Sequence, residues 1–70
     1  MESDWVKIYT SANFFQSEMV KQLLTQHKIE AVLMNKRDSA HNTFGQVEVY
    51  IHQSVFSQAI EILVLNDIQP

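Results

Sequence analysis

The 70-residue chain has no cysteine, one glycine and one proline. Without cysteine it can form neither a disulfide nor a Cys-ligated zinc site. A single glycine, Gly45, cannot build the glycine-rich loops that hold the phosphates of ATP or NAD. No cofactor is therefore expected. Long apolar runs are also missing, and nothing approaches the roughly 20 residues needed to span a bilayer. The first residues, Met1-Glu2-Ser3-Asp4, are acidic and lead into no apolar stretch, unlike a secretory signal. A cytoplasmic protein with no membrane partner is the expectation. The net charge of −3 disfavours nonspecific nucleic-acid binding.

What is present is apolar content: 46% of residues are hydrophobic, which with so few chain breakers argues for a compact fold. The length fits one domain over residues 1–70. A chain this short buries only about 60% of the surface its unfolded form exposes. Pairing with a second copy is a common remedy, so a homodimer is expected.

The hydrophobic rhythm changes along the chain. Residues 5–10 alternate, with Val6 and Ile8 on one face and Trp5, Lys7 and Tyr9 on the other. Ser11 and Asn13 both suit a helix start, and Gln16 three residues after Asn13 completes a capping-box pattern. Phe15, Met19, Val20, Leu23, Leu24 and His27 then recur at helical spacing, and Lys28 ends the helix where glycine is commoner. A second strand is expected over 29–35, with Ile29, Ala31 and Leu33 opposed to Glu30, Val32 and Met34. Residues 36–45 have no period and hold the only glycine, so they read as a loop. Residues 46–52 alternate most strictly: Val47, Val49 and Ile51 against Gln46, Glu48, Tyr50 and His52. A second helix opens at Gln53 or Ser54, with Val55, Phe56, Ala59, Ile60 and Leu63 as its buried stripe, widened by Ile62, Val64 and Leu65. Residues 66–70 read as a tail.

Two helices with one apolar stripe each must cover one face of a three-stranded sheet. The first β-α-β crossover should be right-handed, and strands two and three can pair as an antiparallel hairpin. The expected fold class is α+β, a ferredoxin-like two-layer sandwich of order β-α-β-β-α. Its strand order is 1-3-2, with the fourth strand absent or vestigial. Strand one then lies at an open edge, which invites pairing with another chain. The uncovered face would carry Trp5, Lys7, Tyr9, Val32, Met34, Glu48 and Tyr50. So aromatic a face suits either burial between subunits or a ligand or peptide platform.

Chemistry-bearing patterns are sparse. His27, His41 and His52 share no face at metal-ligand spacing, so no metal site is expected. Ser39 and His41 could pair as nucleophile and base, but no glycine pair supplies an oxyanion hole. Lys36 and Arg37 with His41 form a polar loop cluster that suits an anionic partner. Phe44-Gly45-x-Val47 faintly matches an RNA-recognition strand, yet Gln46 and Val49 replace its stacking aromatics and Glu48 opposes phosphate. No nucleic-acid partner is expected. The candidate binding residues are Trp5, Lys7, Tyr9, Lys36, Arg37, His41 and Tyr50, with no catalytic residues.

Several segments carry a family resemblance: Val6-Lys7-Ile8-Tyr9, Ser17-Glu18-Met19-Val20 with Leu23-Leu24, and Ile29-Glu30-Ala31-Val32-Leu33. Gly45-Gln46-Val47-Glu48-Val49-Tyr50-Ile51 and Ala59-Ile60-Glu61-Ile62-Leu63 complete it. From residue 5 to about 65 the chain resembles a small prokaryotic domain family of unknown function, described as signal-transducing and related in fold to PII-like regulators. Members carry a small residue where Ser17 stands and a glycine where Lys28 stands. The resemblance implies a ferredoxin-like fold and a non-enzymatic regulatory or interaction module that binds a protein or small ligand. It brings no catalytic residues. PII-like regulators signal through the loop between strands two and three, here the much shorter 36–45. The alternative is a small enzyme or ligand-binding subunit whose site forms at a dimer interface from Trp5, Tyr9, His41 and Tyr50.

Overall fold

The computed structural model describes residues 4–36 and 46–69. The elements run β1 (Trp5–Ser11), α1 (Phe14–Gln26), β2 (Ala31–Lys36), β3 (Gln46–His52), a 3-10 turn (Gln53–Val55) and α2 (Phe56–Leu65). The strands form one sheet of order β1-β3-β2, with both outer strands antiparallel to β3. β1 and β2 are therefore parallel to one another, and α1 makes the crossover between them.

β3 organises the domain. Its odd positions, Val47, Val49 and Ile51, are buried, and Val49 and Ile51 join Val20 and Leu24 of α1 and Ala59, Ile62 and Leu63 of α2 in the apolar interior. Both helices thus cover the same face, as two amphipathic helices on one small sheet must. The molecule is only 16 Å thick along its short axis, the depth of two layers.

The start of α1 is fixed locally. Asn13 is the N-cap, and its Oδ1 accepts the Gln16 N–H at 3.2 Å. Ser11 Oγ accepts the Asn13 N–H at 2.9 Å, so the donor that a capping-box glutamine would satisfy is already bonded. The Gln16 side chain is used elsewhere, by Tyr9.

Two features of α1 depart from the expected stripe. Ser17, Val20 and Leu24 face the sheet, while Phe15 is 75% exposed and Met19 66%. The buried stripe is turned away from the bulkiest residues, and it includes the small, fully buried Ser17 against β3. There its Oγ faces the Val47 carbonyl at 3.5 Å, and a large side chain would hold the helix off.

Both helices end alike. In α1 the Lys28 N–H donates to the Thr25 carbonyl (2.9 Å) and the Ile29 N–H to the Leu24 carbonyl (3.0 Å). In α2 the Asp67 N–H donates to Val64 (3.0 Å) and the Ile68 N–H to Leu63 (2.9 Å). These are two Schellman caps, with Lys28 at φ 64° and Asp67 at φ 61° in the left-handed region that glycine favours. A side chain there costs about 1–2 kcal/mol. Ile29 and Ile68 follow each cap and fold back onto the core. The expected second strand accordingly starts later, at Ala31, since Ile29 belongs to the cap. The supposed tail is structured through Ile68 for the same reason. Val20, Leu24 and Ile29 repeat, at identical spacing, as Ala59, Leu63 and Ile68.

Candidate functional site

The face of the sheet opposite the helices is read from the register. Trp5 lies across from His52; Lys7, Tyr50 and Val32 form the next row; Thr10, Glu48 and Met34 the third. These even positions of β3 point outward because the odd ones face the core.

Tyr9 does not belong to this face, contrary to the alternation expected for residues 5–10. The register between β1 and β3 slips between Lys7 and Tyr9: Lys7 opposes Tyr50, and Tyr9 opposes Val49. This bulge leaves Ile8 as the extra residue and turns Tyr9 to the helix side. There the Tyr9 ring packs on the core, and its hydroxyl donates to Gln16 Oε1 at 3.2 Å. With Gln16, Met19, Val20, Asp67, Ile68 and Gln69 it lines an open cleft of about 300 Å3.

The centre of the outer face is polar and paired. Glu48 is only 8% exposed. Lys7 Nζ lies 3.5 Å from its Oε2, and the Tyr50 hydroxyl donates to its Oε1 at 2.9 Å. A charge so sheltered requires such partners. The Tyr50 pKa is raised above 10.0 because its proton is held in the bond to Glu48, with burial and the nearby negative charge acting in the same direction. Tyr50 accordingly serves as a neutral donor, not as a phenolate base.

The rim is aromatic and apolar. The Trp5 and His52 rings meet at 3.9 Å between centroids, tilted by 33°. His52 Nε2 lies 3.6 Å from Glu30 Oε1. Val32 and Met34 remain exposed on β2, in the second and third rows. The face therefore combines stacked rings, two exposed apolar side chains and a carboxylate engaged by Lys7 and Tyr50. That assembly can bind by contact and hydrogen bonding, and its sheltered carboxylate sets it against anions.

Of the seven candidate residues, Trp5, Lys7 and Tyr50 share the outer face, and Tyr9 lies on the other side of the sheet. Lys36 closes β2 opposite Gln46. Arg37 and His41 lie outside the described residues. Two contributors were not singled out from sequence: His52, which stacks on Trp5, and Glu30, which reaches His52. The parity of residues 46–52 already set His52 outward with Tyr50. Among the described residues no three His, Asp or Glu side chains gather as metal ligands. No helix among them is long and apolar enough to cross a membrane. No protein-family model matches the chain, and no curated protein or solved structure is significantly similar to it.

Proposed function

We propose that this chain is a non-enzymatic regulatory or interaction module that binds a protein or small ligand through its outer sheet face. The observation that carries this is the company kept on that face. Stacked Trp5 and His52, with exposed Val32 and Met34, surround the Lys7–Glu48–Tyr50 group where neither helix lies. Aromatic and apolar side chains kept at the surface are the usual marks of an interaction site. The strand order and paired helices support a ferredoxin-like sandwich lacking its fourth strand. The resemblance to the signal-transducing, PII-like prokaryotic family supplies the regulatory part.

The alternative, a small enzyme or ligand-binding subunit, needs Trp5, Tyr9, His41 and Tyr50 together at a dimer interface. The bulge parts Tyr9 from Trp5 and Tyr50 within one chain, and the Glu48 carboxylate is engaged by Lys7 and Tyr50. Within one chain the geometry therefore supports binding by the outer face.

The test is affinity capture from the native cell with the immobilised chain, beside a Val32→Glu/Met34→Glu double variant. Both positions are exposed, so the variant should fold. A protein retained by the wild type and reduced about tenfold or more on the variant is expected. Native mass spectrometry of the purified chain covers a small ligand in the same way. Equal capture by both, or neither a protein nor a small molecule bound, would sink the outer-face assignment.

A further inference from the structure

Among the strands, the backbone of α2 lies nearest β1, one edge of the sheet, whereas α1 packs on all three strands. α2 therefore lies toward that edge. Along one flank, next to the buried Ala59 and Leu63, run Phe56, Ile60 and Val64 at i, i+4, i+8. Ile60 is half-buried, but Phe56 is 41% exposed and Val64 59%. The matching positions of α1, counted back through the repeated Val20-Leu24-Ile29 and Ala59-Leu63-Ile68 pattern, are Ser17, Lys21 and Thr25. Ser17 is fully buried, and the other two are polar. The flank is thus apolar on the helix above the sheet edge and polar on its counterpart. Below it, β1 is seven residues long and carries one charged side chain, Lys7.

We infer that a second copy of this chain covers this edge. β1 pairs antiparallel with β1 of the copy about a two-fold axis normal to the sheet, and the two α2 helices pack flank to flank. One rotation satisfies both features. Such an axis keeps both helix layers on the same side, so a strand edge and the apolar flank above it meet their equals together. A specific interface takes about 800 Å2 from each partner. A short strand ladder alone falls well below that, and the facing helices make up the difference. Phe56, Ile60 and Val64 are uncharged, and the acidic Asp67 lies beside Val64 at one end only, so the middle of the flank sets no like charges against each other when two copies of −3 meet.

The bulge also restricts the register. Residues directly opposed in an antiparallel pair point to the same face. In β1 Trp5 and Lys7 point outward and Val6 inward, before the slip. Pairing centred on Val6 keeps both faces in phase and sets Lys7 across from Trp5 of the partner subunit. Centring on Ile8 would oppose outward Lys7 to inward Tyr9, which the pleat forbids.

Sedimentation equilibrium of the full chain from micromolar to millimolar concentration tests this. A reversible dimer is expected. Val64→Glu should raise its dissociation constant by about tenfold or more while leaving the monomer folded by circular dichroism. Phe15→Glu, on the exposed side of α1, should leave it unchanged. Amide exchange in β1 should slow as the dimer forms, and that in β2 should not. A monomer throughout would overturn the inference. So would dissociation by Phe15→Glu but not Val64→Glu, or protection that appears in β2 instead.

Discussion

Val49→Asp abolishes the fold at neutral pH. Val49 is 0% exposed at the middle of the central strand, opposed by Tyr9 on one side and Leu33 on the other, beneath both helices. No described basic side chain belongs to that apolar cluster, so a carboxylate there would be desolvated and unpaired. Leaving a buried charge without its partner costs about 3–5 kcal/mol, and the lost burial of the valine side chain adds about 1.5–3 kcal/mol. A domain of this length holds only roughly 3.5–10 kcal/mol of stability in all. Far-UV circular dichroism of the variant should give a flat, non-cooperative melt. A cooperative transition near the wild-type temperature would mean that Val49 does not face the core.

Leu24→Ala should leave a folded but much weakened protein. Leu24 is fully buried, and its carbonyl accepts the Ile29 N–H that closes the α1 cap, so the side chain and the turn beneath it share one packing site. Truncation leaves a cavity bounded by a sheet and a capped helix that cannot easily collapse, at a cost of about 3 kcal/mol. In a domain of this size that lowers the melting temperature by about 12–24 °C. Phe15→Ala, one residue into the same helix but largely exposed, should change stability by no more than about 0.5 kcal/mol. Calorimetry of the pair decides the helix phase. Equal losses, or a larger one at Phe15, would restore the stripe drawn from hydrophobicity alone.

The difference between these helix positions shows what the sequence could and could not disclose. Strand β3 was legible because Val47, Val49 and Ile51 alternate without a break against polar or amphipathic neighbours, and that parity alone sets Glu48, Tyr50 and His52 on the outer face. The antiparallel 1-3-2 sheet with two helices followed from it. The phase of α1 was not legible by hydrophobic count, since Ser17 is buried for being small and Phe15 is exposed despite being large. A signal existed in the repeated Val20-Leu24-Ile29 and Ala59-Leu63-Ile68 spacing, which selects the buried positions of both helices and marks both caps. Lys28 and Asp67 hid those caps because neither is glycine. Tyr9 was misplaced by strict alternation. The adjacent pair Ile8-Tyr9 was the trace of the bulge, two large side chains in succession that both turn inward. Of the candidate site, the Trp5, Lys7 and Tyr50 part was readable from strand parity. The Trp5–His52 stack and the Glu48-centred pairing depend on cross-strand register, which a single strand's pattern does not contain.

Nuclear Overhauser contacts from the side chains of β3 put the two-layer arrangement to its most direct trial. Val49 and Ile51 should show contacts to Leu24 and Leu63, and Tyr9 to Gln16, while Glu48 and Tyr50 show them only to Lys7, Val32, Met34 and their other outer-face neighbours. Contacts from either helix to Tyr50 or Glu48, or from the Tyr9 ring to Tyr50, would contradict a sheet covered on one side and open on the other.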